Sequence, residues 1–415
     1  MLTPEYLQHA AEGAEAITED LHNRIMRKIV KAILTRMERG ENYMLTAADK
    51  WRIEALQEAG YLLEDIQKEI AKATNQQLSE IKSACIDAGI QTLKWDDAVY
   101  TAAGLVPTPL LLSPTLMRVL ERDYKATAGT WRNFTRTTAE EAQRLFINEL
   151  DSAYHRVLSG GESYGAVVAD LIEKVSEEGL TVKYPTGYRQ SLESATMTIV
   201  RTGIAQAACD VSEARMEEMD WDIILVSAHV GARTGDGGQN PGNHLWWQGR
   251  FYSRTGKDKR YPNFYEVTGY GTGEGLGGWN CRHSFGSGDG KNNPFDDKNI
   301  SYADNRKVEE AQKRQRLLER RIRNSKRQIQ TLQFAIDNAS DDETKSKLQS
   351  RAEQKANLLT KQNKAYRKFC EDNNLRPYDE RLKIAHWDRK QAARAAADAR
   401  RYQKRKKDNA DDGND

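Results

Sequence analysis

Leu21, Ile25, Ile29, Ile33 and Met37 recur every four residues with charged residues between them. That spacing predicts a helix over residues 4–40 with one buried stripe, stopped at Gly40. Trp51, Ile53, Leu56, Ala59 and Leu62 predict the apolar face of a second helix begun after Thr46, which runs on as charged helix to about Gly89. TAAGLVPTPLLLSP (101–114) breaks the pattern: its prolines exclude a continuous helix, and its leucines are expected to dock on a core. Helical periodicity returns over 117–176. There Thr138 and Glu141 predict a capping box before Leu145, Ile147 and Leu150, and SGGES predicts a turn with Ser163 as the next N-cap. Residues 189–219 read as a long helix through Met197, Val200, Ile204 and Ala208, and DIILVSA (222–228) as the best strand in the chain.

From Ser227 to Phe285 no helical period survives. This stretch holds three of the seven histidines and three of the eight tryptophans, with dense glycine, and predicts a compact β-containing module with long loops. Beyond a Gly/Asn/Asp loop, Ala311, Gln315, Leu318, Ile322, Ser325, Ile329, Leu332 and Ile336 alternate steps of four and three. Leu348, Ala352, Lys355, Leu359, Gln362, Tyr366 and Phe369 repeat the pattern after DNASDDE (337–343), which predicts a helical hairpin of coiled-coil type or an oligomeric coil. The fold class expected is mainly α with a small α+β module. The regions are 1–105, 106–220, the module at 221–300, a coiled-coil hairpin at 301–370, and a basic helix with a disordered tail at 371–415.

The formal net charge of +2 conceals an asymmetry. Residues 301–415 carry 30 Lys+Arg against 19 Asp+Glu, a net of +11, which leaves −9 on residues 1–300. The basic end suits a polyanion such as double-stranded DNA, with Arg400, Arg401, Lys404, Arg405, Lys406 and Lys407 as candidate contacts; a solvated helix surface is the plainer alternative. Cys85, Cys209, Cys281 and Cys370 are far apart with no CxxC pair, which argues against a disulfide framework. Neither a signal-peptide pattern nor a membrane-spanning apolar run is present, so synthesis in a cytoplasm without a membrane partner is expected.

His229, His244, Cys281 and His283 are the candidate chemistry, because imidazole and thiolate are zinc ligands and four of them would close a tetrahedral structural site. The alternatives are histidines satisfied by backbone carbonyls around a buried thiol, or a catalytic site. The catalytic version makes Cys281 a nucleophile, or makes the cluster a metal-dependent nuclease or hydrolase. Against it, no carboxylate lies in HVGART, HLWWQG or NCRH; Asp236 and Glu274 are nearest. Arg201, Arg233 and Arg282 are candidate phosphate or structural donors. GEGLGG (273–278) fits a phosphate-loop pattern formally, but the flanking strand and helix are missing, so it predicts backbone turns.

VRTGIAQA (200–207), SAHVGAR (227–233), HLWWQGRFYS (244–253), TGYGTGEGLGGWNCRHSF (268–285) and QKRQRLLERRIRNSKR (312–327) together resemble the phage minor capsid protein 2 family. The family looks related to Mu-type head-morphogenesis proteins, whose module ends in NCR(C/H); His283 stands where a second cysteine is common there. The resemblance implies a non-enzymatic, low-copy structural protein of the tailed-phage head. It would sit with the portal and capsid interior, contact portal, major capsid or scaffolding protein, and accompany packaged DNA. The family's motif residues map onto His229, Arg233, His244, Gln248, Gly249, Asn280, Cys281, Arg282 and His283 without assigning them roles.

Overall fold

A computed structural model describes residues 1–46, 48–296 and 301–411. The chain is mainly α-helical with a small antiparallel sheet inside an α+β module. In order, the helices open with α1 (Pro4–His9), α2 (Glu12–Met37), α3 (Gly40–Thr46), α4 (Ala48–Ala102), α5 (Pro114–Ser159) and α6 (Tyr164–Glu178). A small hairpin of β1 (Thr181–Lys183) and β2 (Arg189–Ser191) precedes α7 (Leu192–Glu218). The module then supplies β3 (Ile223–Val226), α8 (His244–Trp247), β4 (Phe251–Ser253), α9 (Phe264–Thr268) and β5 (Phe285–Ser287). Three helices close the chain: α10 (Tyr302–Asn338), α11 (Asp342–Asp372) and α12 (Arg389–Asp411).

Two compact units form, each from three separate segments. The first takes Met1–Glu15, Thr74–Asn133 and Ser194–Lys313; the second takes Ala16–Ala73, Phe134–Glu193 and Arg314–Asp415. The module is therefore not a self-contained block. Its core of Ile224, Val226, Trp247, Tyr252, Phe264, Leu276, Cys281 and Phe285 is completed by Cys209 and Met216 of α7. An adjoining core of the same unit joins Leu7, Ile81, Cys85, Leu120, Ile204 and Val211. Strand β3 is central, antiparallel to both β4 and β5, with Leu225 opposite Phe251 and Gly286. Ile224, Leu225 and Val226 are all fully buried, which is why a run of apolar residues without alternation makes this strand.

Several expectations change. The helix expected over 4–40 divides at Ala10–Ala11, and Gly40, at φ +81, opens α3 as well as following α2. The start expected after Thr46 falls beside residue 47, outside the described residues. Helix α4 does not stop near Gly89. A Cβ there would lie 3.2 Å from Leu110 Cδ2 and 3.4 Å from Leu120 Cδ2, so this glycine admits close packing within the helix. The buried stripe of α4 in the second unit is Trp51, Ala55, Ala59, Leu62 and Ile66, whereas Ile53 and Leu56 are about three-fifths exposed, at 58% and 61%. The 101–114 segment does break the helix, yet only Leu110 of its leucines is buried; Leu105, Val106, Leu111 and Leu112 face solvent. Thr138 and Glu141 form no capping box, because both lie inside α5: the Thr138 hydroxyl donates to the Phe134 carbonyl and Glu141 pairs with Arg144 and Arg189. Ser163 does stand at the N-cap of α6, though its hydroxyl bonds Glu343 rather than the helix backbone.

In the second unit, α10 and α11 pair through the periodic positions. Leu318, Ile322, Ile329, Leu359 and Tyr366 share a core, and Ser325 Oγ donates to Gln362 Oε1 at 2.8 Å. Ala395 and Ala399 of α12 join the same core, so three helices rather than two complete it. The expected basic helix is α12, which runs to Asp411; the tail expected after it, 412–415, lies outside the described residues. No helix among the described residues is long and apolar enough to cross a membrane.

Candidate metal centre

The site is built where β3 runs out. After Val226 the chain enters a loop that carries His229 and Arg233, and α8 then begins at His244. Asn243 caps α8 by accepting from the Trp246 amide, which fixes where His244 points. Cys281 and His283 lie on the approach to β5. The turns before them need glycine: a Cβ on Gly275 would fall 2.2 Å from the Gly269 carbonyl oxygen, and one on Gly278 2.3 Å from that of Gly273. GEGLGG is thus a set of tight turns. The Leu276 amide donates to the Thr268 carbonyl and the Trp279 amide to that of Gly273. Asn280 takes a left-handed φ of 57°, and its side-chain carbonyl accepts from Arg201 of α7 at 2.7 Å. Gln206 of α7 donates to the Gly277 carbonyl at 3.0 Å. Arg233 donates to the Trp279 carbonyl at 2.6 Å, so Arg233 positions backbone whereas Arg201 holds the Asn280 side chain.

His244, Cys281 and His283 come together, with relative exposures of 2%, 4% and 1%. Each offers one ligand atom, and the three atoms lie within 4.8 Å of one another. Cys281 Sγ is 3.8 Å from His244 Nδ1 and 3.7 Å from His283 Nδ1. The opposite ring nitrogens are engaged: His244 Nε2 is 2.9 Å from the Glu274 carbonyl, and His283 Nε2 is 2.8 Å from Gln248 Oε1. His229 stands apart from the trio. Its ring stacks on that of His283 with centroids 4.3 Å apart, and its Nδ1 lies 3.1 Å from the Val230 carbonyl. The expected set of four thus resolves into three converging groups and one stacked neighbour. Burial pulls His244 down to about 4 and His283 well below the ordinary imidazole value, and it pushes the Cys281 thiol up.

Gln248 accepts from the His229 backbone amide at 3.1 Å as well as from His283. Gly249, at φ +67, brings the chain within reach of Ala228, whose Cβ would be 3.1 Å from an added one. Arg282 is half-buried beside the trio. Asp236 turns on itself, accepting from the Gly238 amide and the Asn240 side chain, and Glu274 contributes its carbonyl only. Two residues of the charged helix α10 went unnoticed in the sequence. Asn305 accepts from the Gly231 and Ala232 amides and donates to the Ala232 carbonyl, and Glu309 accepts from the Thr234 amide and hydroxyl. Both are buried, and together they clasp the His229–Thr234 loop.

The six basic candidates of α12 divide by helix face. Arg401 and Arg405 both pair with buried Glu353 of α11, and Arg401 also with Asp398. Arg400, Lys404, Lys406 and Lys407 are exposed and, among the described residues, are held by no ion pair. Arg400, Lys404 and Lys407 recur at steps of four and three and share one face.

The fold is thus that of a mainly helical protein that carries a small glycine-turned module with a buried His/Cys cluster. The chain belongs to the phage minor capsid protein 2 family, whose model matches residues 2–371. It is thus a minor structural component of the phage head, located in the virion and assembled with other head proteins. Searches of curated proteins and of solved structures returned no significant match.

Proposed function

We propose that the protein is a low-copy component of the head that sits with the portal at the capsid interior and touches packaged DNA through α12. The head assignment rests on the family match, and the portal association on the motifs shared with that family. The observation that carries the DNA contact is the split of α12. Arg401 and Arg405 are consumed by Glu353, while Arg400, Lys404, Lys406 and Lys407 stand exposed on a segment with net positive charge. A row of unpaired cations on a helix neutralises phosphates without reading bases. A structural rather than catalytic module is favoured by the burial of His244, Cys281 and His283, which leaves no approach for a polymeric substrate.

Quantitative mass spectrometry of purified particles, induced from a host carrying the gene, tests this reading. A few copies per particle, varying with the portal protein and retained after DNA release, is the expected result. Presence in lysate and absence from particles would overturn it.

A further inference from the structure

We propose that His244 Nδ1, Cys281 Sγ and His283 Nδ1 bind one zinc ion, with Gln248 and the Glu274 carbonyl fixing the two imidazoles for the task. The argument begins with the ring nitrogens facing away from the sulfur. His244 Nε2 meets the Glu274 carbonyl at 2.9 Å. A carbonyl only accepts, so this nitrogen carries the proton. His283 Nε2 meets Gln248 Oε1 at 2.8 Å. The identity of that amide atom is fixed independently, because it also accepts from the His229 backbone amide at 3.1 Å. His283 Nε2 therefore carries its proton too. Both Nδ1 atoms are left as lone pairs, and both are directed at Cys281 Sγ, 3.8 and 3.7 Å away.

A thiol has one hydrogen, so it can serve only one of these two buried acceptors. Without a metal one lone pair is stranded among side chains that are 1–4% exposed, which is unfavourable for a buried acceptor. A cation coordinated by all three atoms removes that conflict. The sulfur–nitrogen distances agree: bonds of about 2.3 Å to sulfur and about 2.0–2.1 Å to nitrogen at tetrahedral angles place S and N roughly 3.5–3.6 Å apart. The observed separations exceed this by a few tenths of an ångström. One sulfur and two imidazoles suit zinc, whereas magnesium and calcium require oxygen. On binding, the Cys281 thiol gives its proton to solvent as the sulfur–metal bond forms, and both imidazoles bind neutral. A second hydrogen bond on each ligating histidine, to a carbonyl or amide oxygen, is the outer arrangement that zinc-binding histidines use. His229 lies outside the converging set and packs its ring flat on His283 as a wall of the site.

The full chain, expressed without a histidine tag and dialysed against metal-free buffer, is assayed by elemental analysis. About one zinc per chain is expected, retained in His229→Ala and lost in Cys281→Ser and His283→Ala. Because those two variants can fail to fold, the unaltered chain is also stripped and titrated with cobalt(II). Thiolate-to-cobalt absorption in the near ultraviolet together with strong tetrahedral visible bands supports the site. Absence of both retained zinc and the cobalt spectrum overturns it, as does zinc that survives Cys281→Ser. Loss of zinc from a folded His229→Ala chain overturns the three-ligand assignment.

Discussion

Gln248 holds two groups with one oxygen, the His283 ring and the His229 backbone amide, and it is almost wholly buried. Gln248→Leu preserves bulk but strands both donors, each worth roughly 1–3 kcal/mol. The urea midpoint should fall by an amount equivalent to about 2–6 kcal/mol, whereas a change within 0.5 kcal/mol or so would deny the amide its positioning role. Glu193 makes a second case in the other unit. Burial alone would raise its carboxyl, but Arg327 and His22 overcome this and hold it well below the ordinary range. A carboxylate whose folded value is depressed contributes stability that is complete above its unfolded value, near 4.5, and is lost as pH falls beneath it. Glu193→Gln should cost roughly 1–3 kcal/mol at pH 7, since it takes a buried carboxylate from His22 and Arg327 while Glu19 stays paired with Arg327. The gap between the two proteins should begin to narrow below about pH 4.5 and close only as pH falls through the depressed folded value; a pH-independent gap would mean that Glu193 matters for packing rather than charge.

At the scale of elements, what could be read in advance was whatever local chemistry dictates. The β-branched run Ile223–Val226 announced β3, and the four-three spacing of Leu318, Ile322, Ser325 and Ile329 announced the pairing face of α10. The trio was legible because histidine and cysteine are rare and were concentrated in one glycine-rich stretch, but spacing cannot tell a ring that converges on Cys281 from one that stacks beside it, as His229 does. Other errors share one cause, contacts supplied from far along the chain. Gly89 reads as a stop until Leu110 and Leu120 are seen against it. Asn305 and Glu309 read as solvated helix surface until the loop at 230–234 is seen to depend on them. Asn305→Ala would leave two amides and a carbonyl of that loop without their partner. Amide exchange across 231–234 should accelerate by roughly ten- to a hundredfold, equivalent to about 1.4–2.8 kcal/mol. Unchanged protection would show that the loop holds itself. By the same logic a fragment of residues 221–300 should not fold alone: Cys209 and Met216 complete its core, Asp96 accepts from the Ser287 amide at 2.7 Å, and all three lie outside it. Sharp, dispersed amide resonances from that fragment would contradict this.

For the molecule as a whole, the decisive feature is how its charge is distributed along the chain. Residues 1–300 carry −9 and residues 301–415 carry +11, so a polyanion should be repelled by the larger part and drawn to the smaller. Removing the C-terminal helix would be a poor test, since Ala395 and Ala399 belong to the core of the second unit and truncation would expose Leu382 and Tyr366. Replacing Arg400, Lys404, Lys406 and Lys407 by Gln is cleaner. None of the four is held by an ion pair among the described residues, and Arg401 and Arg405 keep their grip on Glu353. The circular dichroism and denaturation midpoint should therefore be unchanged. Each phosphate neutralised contributes about 0.9 to the slope of log affinity against log salt, so the quadruple variant should flatten that slope by roughly 3–4 for duplex DNA of any sequence. A slope that stays the same would move DNA contact elsewhere on the protein, and α12 would then be a packing helix whose outer charges only keep it in water. The family match ends at residue 371, before α12 begins, so this experiment separates what the shared part of the chain does from what this C-terminal helix adds.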